Sequence, residues 1–340
     1  MPKQPSTSPV TADDVAELAG VSRWTVNRAF KPDASISSSS RDKVLKAAAK
    51  LEYVPDLLAA SLASDKTNLV SLLVDDFSNP HKLVMLERIT RILRKNGWES
   101  LLVNTLSEDD ANKALLSASQ RRVDAAVLIG SRFDDPTLAT ALGARRVKKL
   151  IVFARFSSNP NTISICCDDV LAMNTITNHI LEKGYGRPLF LAGPQTQSAH
   201  LMRKDTFVDL WRKTKGTEAP VVAIGAYDPE IAYRCVADYF TKQERVAWPD
   251  ILVCENDSIA IGAIDAIRFE TKLRIPEDIA VIGFDDVPLA ANPGYHLTTY
   301  RQPITQMVNG LVDVLKHDHY SKELSNFEGT LIVRNSTRRS

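Results

Sequence analysis

The stretch VTADDVAELAGVSRWTVNRAF, residues 10–30, specifies two short helices and the turn between them by residue type alone. Thr11 followed three positions later by Asp14 makes a capping-box-like start, in which each side chain satisfies the other's free backbone N–H. Val15, Leu18 and Ala19 then supply a short apolar face. Gly20 ends the helix because glycine enters the left-handed region without steric cost. After the tight Ala19-Gly20-Val21 turn, Ser22 is placed to cap a second helix whose inward residues are Val26, Ala29 and Phe30. That leaves Arg23, Trp24, Asn27 and Arg28 on the other faces.

Outward from this pair, residues 1–9 read as a loose tail rich in Pro and Ser. Gly20 to Lys50 carries seven basic residues against two acidic ones, a local excess suited to a phosphate surface or to a solvated helical face. A third helix follows the polar run Ser37–Ser40, with Val44, Ala48 and Leu51 at helical spacing and Pro55 as its stop. Residues 10–55 therefore read as a three-helix bundle. Leu57–Ala63 is helix-capable but too short to stand alone in water, so residues 56–66 read as a hinge helix and linker that needs a partner.

From Asn68 the texture changes to apolar runs separated by amphipathic stretches. Leu69–Val74, Ser100–Val103, Ala125–Ile129, Leu150–Ala154, Leu189–Ala192, Val221–Ile224, Ile251–Cys254 and Ala280–Gly283 read as short buried strands. Strands alternating with helices imply parallel sheets covered on both faces, and the length implies two such subdomains over residues 67–334, with 335–340 as a tail. Ligands bind beyond the carboxyl ends of strands in open parallel sheets. The polar residues following each run then converge on one cleft: Asp75, Asp76 and Asn79; Arg132; Arg155; Asp168 and Asp169; Tyr227 and Asp228; Asn256 and Asp257; Asp285 and Asp286. Taken singly, each is as good a helix cap or loop residue.

Bulk properties narrow the class. A chain of 340 residues exceeds a single core. With 42 basic and 41 acidic residues the net charge is +1, so the whole-chain balance does not point to nucleic acid. No apolar run is long enough to span a bilayer and MPKQPSTSPV has no apolar signal core, so a cytoplasmic protein without a membrane partner is expected. Cys166, Cys167, Cys235 and Cys254 form neither a disulfide framework nor a metal-ligand spacing, and read as small buried thiols. No metal and no cofactor is expected. Asp76, Asp168, Asp285, His179, His200 and His296 are available for acid–base work, yet no Gly-rich phosphate loop, nucleophile elbow or metal-spaced cluster accompanies them, so no enzyme is expected.

The spacing of Asp14-Val15-Ala16, Ala19-Gly20-Val21-Ser22, Thr25-Val26 and Arg28 resembles the helix-turn-helix of the lactose- and galactose-repressor (LacI/GalR) family. The resemblance runs on through Arg41 and Tyr53-Val54-Pro55. In the core it continues in Asp76-Phe77-Ser78-Asn79-Pro80, Arg122-Val123-Asp124, Gly193-Pro194, Asn256-Asp257, Ile275–Ile279, Gly283-Phe284-Asp285-Asp286 and Thr298–Pro303. It implies an α/β protein with an N-terminal three-helix helix-turn-helix DNA-binding domain and hinge helix. A periplasmic-binding-protein-like core of two doubly wound parallel-sheet subdomains follows, crossed more than once by the chain. It also implies a homodimeric repressor on a pseudo-palindromic double-stranded DNA operator, controlled by a small-molecule effector.

By that resemblance Arg23, Trp24 and Arg28 take recognition positions in the major groove, where an arginine fork suits guanine. Thr11, Ser22, Thr25 and Asn27 complete the DNA-binding set on the head. Trp24 either stacks on a thymine methyl or sugar, or packs against the third helix. Leu62, with Ala59 beside it, falls where the family wedges a leucine between base steps. The hinge departs from the family in Asp56 and Ala60, and Asp56 reads best as an N-cap. The effector set implied is Asp76, Asn79, His81, Lys82, Arg132, Asp168, Arg203, Tyr227, Asn256 and Asp285. A carboxylate and a guanidinium across a cleft from an aromatic ring suit a sugar. His81, Lys82 and Arg132 make the pocket more polar than the family's and raise, as alternatives, an anionic sugar acid or phosphate or a purine-type effector, although Lys82 also fits a solvent-facing position. A transport solute-binding protein is the rival that the core alone would permit, and residues 10–62 argue against it.

Overall fold

The computed structural model describes residues 10–31, 34–56, 66–105, 108–130, 147–195, 199–317 and 326–338. Two compact units divide at Thr67/Asn68.

In the first unit, α1 (Ala12–Ala19), α2 (Arg23–Ala29) and α3 (Ser38–Lys50) form the bundle. Thr11 and Asp14 close a reciprocal capping box, Gly20 caps the other end at φ 64°, and the Ser22 hydroxyl accepts from the Thr25 N–H. Val15, Val26 and Val44, one from each helix, are fully buried together. The third helix stops earlier than Pro55 would have stopped it. Glu52 turns left-handed at φ 54°, and the Tyr53 N–H donates to the Ala48 carbonyl at 2.9 Å while the Glu52 N–H donates to Ala49. This Schellman reversal returns the chain so that Tyr53 meets Phe30, ring centroids 5.8 Å apart. The expected hinge helix, with Ala59 and Leu62, lies outside the described residues.

The second unit holds two six-stranded sheets. The first contains β1 (Leu69–Val74), β2 (Glu99–Asn104), β3 (Ala125–Ile129), β4 (Lys149–Phe153), β6 (Ile163–Cys167) and β13 (Asn326–Phe327), in the order β2-β1-β3-β4-β6-β13, all parallel. The second contains β7 (Pro188–Ala192), β9 (Val221–Ala223), β10 (Ile251–Cys254), β11 (Ala280–Phe284), β12 (Thr298–Arg301) and β14 (Thr330–Ile332), in the order β9-β7-β10-β11-β12-β14. A two-residue pairing of β5 (Phe156–Ser157) with β8 (Ala199–His200) lies apart from both.

Helices α4 (Pro80–Lys95) and α10 (Ile304–Lys316) cover one face of the first sheet, and α5 (Glu108–Gln120) the other. In the second subdomain α6 (Asp169–Glu182) and α7 (Arg203–Lys215) cover one face, and α8 (Pro229–Lys242) and α9 (Asp257–Glu270) the other. The chain passes between subdomains from β6 to α6, from β12 to α10 and from β13 to β14. Each sheet reverses strand order beside its first strand, so both open their carboxyl ends toward these crossings, where a ligand cleft is expected.

In the second unit further features depart from the sequence expectations, beginning with strand β6, which was not among the expected runs. The second sheet is mixed, since β14 runs antiparallel to β12. Strand β12, TTYR, has one large apolar residue yet is buried at Thr298, Thr299 and Tyr300. Its hydroxyls are satisfied internally: Thr298 Oγ1 donates to the Arg334 carbonyl at 3.0 Å and Thr299 Oγ1 to Asp257 at 2.6 Å. Residues 335–337, expected as tail, pack into the core. The Ser336 hydroxyl donates to the Val281 carbonyl at 2.6 Å, and His179 Nε2 lies 2.9 Å from Thr337 Oγ1. Among the described residues no helix is long and apolar enough to cross a membrane.

Because the second unit has its own cores on both faces of both sheets, a chain lacking residues 1–66 is expected to unfold cooperatively in a urea titration followed by circular dichroism. A non-cooperative or aggregated product would count against an independent core.

Candidate functional site

A cavity with an empty volume of about 410 Å³, partly open to solvent, lies between the carboxyl ends of the two sheets. Its walls come from both subdomains. Asn79, His81, Lys82 and Met85 enter from the start of α4, Gly130 follows β3, and Phe153, Ala154 and Arg155 close β4. Opposite stand Leu201, Arg203, Tyr227, Asn256, Asp285 and Gln302. Asn79 is positioned because its side chain caps α4, accepting from the His81 N–H at 3.0 Å. Asn256 does the same for α9, accepting from the Ile259 N–H at 3.0 Å.

The Arg203 guanidinium is the electrostatic centre and is 3 % exposed. Its Nε donates to Asp169 Oδ1 at 3.0 Å, one terminal nitrogen donates to the Glu255 carbonyl at 2.9 Å, and Asp285 Oδ1 lies 3.9 Å from that nitrogen. The guanidinium carbon sits 3.5 Å from the Phe284 ring centroid, a cation over an aromatic face. A second network holds Tyr227. Its hydroxyl donates to Glu255 Oε1 at 2.6 Å and accepts from Arg155 at 3.0 Å. Burial pushes this phenol far above its usual range. Glu255 Oε2 accepts from the Gly193 N–H at 3.0 Å, and a Cβ at Gly193 would stand 2.3 Å from the Tyr227 ring, so the strand end must be glycine for the ring to lie there.

Lys82 is buried, and its Nζ donates to Asp75 Oδ1. A Cβ at Gly130 would collide with that aspartate at 2.1 Å. The cation expected to make the pocket anion-binding is thus neutralised within the protein, and the solvent-facing position for Lys82 is overturned as well. Lys82 is paired with Asp75 and Arg203 with Asp169 and Asp285, while Arg155 is held by the Ala199 carbonyl and by the Tyr227 hydroxyl, which itself donates to Glu255, so the cavity carries no excess of positive charge.

In the first unit Trp24 is 65 % exposed. It is not part of the bundle's core, and the Arg28 guanidinium carbon stands 4.4 Å from its ring centroid. Arg28 Nε and NH2 donate to the Ser35 carbonyl at 3.1 and 2.7 Å. Arg23 pairs with Asp13 at 3.2 Å on the surface, a contact of little energetic weight. Thr11 and Ser22 serve as caps, the Ser22 hydroxyl also lying 3.0 Å from Thr25 Oγ1.

Two family models match. One, described as bacterial regulatory proteins, lacI family, covers residues 11–56, and the other, periplasmic binding proteins and sugar binding domain of LacI family, covers residues 67–299. The chain belongs to the LacI family. Within it, the sucrose operon repressor of Escherichia coli is 30% identical over 279 residues, spanning 81% of this chain and 83% of that one. The HTH-type transcriptional repressor PurR of Haemophilus influenzae is 27% identical over 96% of this chain and 98% of its own. The Lac repressor dimer solved with operator and the anti-inducer ONPF shares the fold, with a TM-score of 0.82 at 22% identity, over 97% of this chain and 99% of that one.

Against the family-based effector set, the structure brings Asn79, His81, Lys82, Arg203, Tyr227, Asn256 and Asp285 to one cavity. It does not bring Asp76 or Asp168 there. Asp76 accepts from the Ser78 N–H at 2.8 Å in a local turn, and Asp168 caps α6 through the Leu171 N–H at 2.8 Å. Arg132 lies outside the described residues. The anionic and purine-type alternatives are not carried forward, because the matching core model is a sugar-binding one and Lys82 is already paired. Three lining or supporting residues were missing from the set. Arg155 already stands among the strand-end residues that converge on the cleft, and Gln302 lies in a quoted motif and was within reach of sequence reasoning. Glu255 was not, because only the fold turns its side chain from β10 toward Gly193. Among the described residues no cluster of three or more His, Cys, Asp or Glu could hold a metal. Cys166, Cys167 and Cys254 are buried and Cys235 half-buried; burial pushes the Cys166 thiol up to about 12.

Removing one member of a buried ion pair leaves the other charge uncompensated, at a cost of about 3–5 kcal/mol. Arg203→Leu is therefore expected to lower unfolding stability by that order in urea titration, and a loss near zero would mean that Asp169 and Asp285 do not need it. His81 supplies a pH test. Burial lowers its pKa below 6.5, Asp285 and Asp286 opposing and Arg203 adding to the shift. Below that ordinary value the unfolded chain takes up a proton that the folded chain refuses, so stability falls as pH falls. Between about pH 7 and pH 5 the melting temperature is expected to drop more in wild type than in His81→Gln.

Proposed function

We infer that this protein is a homodimeric, sequence-specific transcription repressor whose operator affinity is set by a neutral, carbohydrate-like effector bound in the cleft. The cavity's lining carries this reading: Lys82 and Arg203 are neutralised by carboxylates and Arg155 is held by the Tyr227 hydroxyl, while Asn256, Asp285, Arg155 and Arg203 line the space together with the apolar surfaces of Phe153, Met85 and Leu201. Polar groups fixing hydroxyls, with flat or aliphatic surfaces against C–H faces, are what a sugar requires. Kinship with a sucrose operon repressor supports the same class. The protein is a binding protein of the cytoplasm rather than an enzyme, in keeping with relatives that are repressors.

On DNA, the head reads a pseudo-palindromic operator through Arg23, Trp24, Asn27 and Arg28, with Thr11, Ser22 and Thr25 toward phosphate and Ala59 and Leu62 at the hinge. Arg28 exchanges the Ser35 carbonyl for a base edge, and exposed Trp24 offers its face to a thymine methyl or sugar. Because the effector must favour one of two states to change operator affinity, it acts by differential binding across the two subdomains.

The test begins with operator selection from a random duplex library, followed by gel-shift titration. Trp24→Ala and Arg23→Ala are expected to lose about 1–3 kcal/mol on the selected site and to relax base preference. Lys43→Ala should weaken binding evenly across sequences and flatten the salt dependence. If no sequence is enriched, the repressor reading falls.

A further inference from the structure

Strand β11 runs out into two consecutive aspartates with left-handed backbone, Asp285 at φ 115° and Asp286 at φ 55°. A residue with a Cβ is strained there, and two in succession persist only where contacts beyond the turn hold them. The backbone gives part of that hold. The Asp285 N–H donates to the Tyr300 carbonyl at 2.8 Å, but the Asp286 N–H reaches the Thr299 hydroxyl only at 3.3 Å. Asp285 lines the cavity, where its Oδ1 accepts from Gln302 Nε2 at 2.7 Å. Asp286 does not, and both its oxygens are held by arginines: Oδ1 by Arg334 Nη2 at 2.7 Å and Oδ2 by Arg301 Nε at 2.6 Å.

These two arginines differ. The Arg301 side chain is 55 % exposed, and a solvent-facing pair of that kind holds little. That of Arg334 is 16 % exposed, and its fork is shared between the Asp286 carboxylate and the Leu297 carbonyl, the latter at 2.7 Å. The chain that carries Arg334 is fixed as well. Its N–H donates to Thr298 Oγ1 at 2.9 Å, and two residues on, the Ser336 hydroxyl accepts from the Thr298 N–H at 2.8 Å while donating to the Val281 carbonyl. A guanidinium on so fixed a base holds its partner at a defined point, and that partner is Asp286.

We propose that Arg334 is a positioning residue of the effector site: by gripping Asp286 it keeps the Asp285–Asp286 turn left-handed, and so keeps the Asp285 carboxylate in the cavity. For the ligand this rests on the carbohydrate reading of the cleft. It goes beyond that reading in placing control of the carboxylate on the segment after β14, in a residue that does not itself line the cavity.

Crystal structures of the full-length chain test the grip without a ligand. In Arg334→Met, or in Asp286→Ala should that variant fail to fold, residues 285 and 286 are expected to relax toward negative φ and Asp285 to lose Gln302. An unchanged turn overturns the proposal. Calorimetry with sucrose, cellobiose, lactose and ribose reads the consequence for binding. For whichever sugar binds wild type, Arg334→Met should weaken it on the order of tenfold and Arg334→Lys should recover part of the loss. Arg301→Gln should stay within about twofold. Asp286→Gly should bind better than Asp286→Ala, because glycine accepts positive φ where alanine resists it. In an Asp285→Asn background, Arg334→Met should cost nothing further, whereas a merely structural arginine would weaken both backgrounds by the same factor. Equal sugar affinity in wild type, Arg334→Met and Asp286→Ala overturns the positioning role alone. Wild type indifferent to all four sugars overturns the proposed effector class, and the crystal structures then decide Arg334 as the operator titration decides the repressor reading.

Discussion

A guanidinium withdrawn from water must find its charge and its hydrogen bonds inside the protein, and Arg203 is such a group. Satisfying it draws together the first residue of α6 through Asp169, the end of β10 through the Glu255 carbonyl and the end of β11 through Asp285. Three elements distant in sequence are thereby registered against one another at the mouth of the second sheet. The aromatic floor at Phe284 completes the enclosure. The cleft geometry follows from this compensation as much as from the apolar cores beneath it.

The remainder of the wall depends on close approach. Gly130 and Gly193 terminate central strands of the two sheets, and each lets a functional side chain, Asp75 or Tyr227, occupy the space of a Cβ. Asp257 is fully buried against Gly283, its carboxyl accepting from the Thr299 hydroxyl and the Val287 N–H, and burial raises its pKa well above the usual value. These contacts make the cleft largely preformed on the second subdomain.

The reading head is built on a different principle. Its core is one valine from each helix, and its definition comes from caps: the Thr11–Asp14 box, Gly20, Ser22 and the Glu52 reversal. Each cap is worth about 1 kcal/mol, a large share of what so small a core supplies. Trp24, 65 % exposed, is a residue of that surface that the bundle's core does not use.

The sequence by itself determined the two-helix head, the break near Asn68 and the strand-helix alternation, because caps, glycine turns and apolar periodicity act locally and leave their mark in neighbouring residues. Strands β1, β3 and β10 fall where their apolar runs predicted. The sequence also carried the residues after each strand to the rim of one cleft, since parallel topology places every such residue at the same edge. Which of them face the cavity was decided only by tertiary structure. Asp168 and Asp169 are adjacent, yet one caps a helix and the other binds Arg203; of Asp75 and Asp76, one accepts the Lys82 ammonium's hydrogen bond and the other closes a local turn with its carboxylate 4.0 Å from that ammonium. Strand β12 escaped periodicity because its threonines are buried by long-range hydroxyl bonds to Asp257 and Arg334, and residues 335–337 escaped because their partners lie in β11 and α6. A side chain's charge is written in the sequence, but the partner that neutralises or orients it comes from the far side of a fold, and no local pattern encodes that distance.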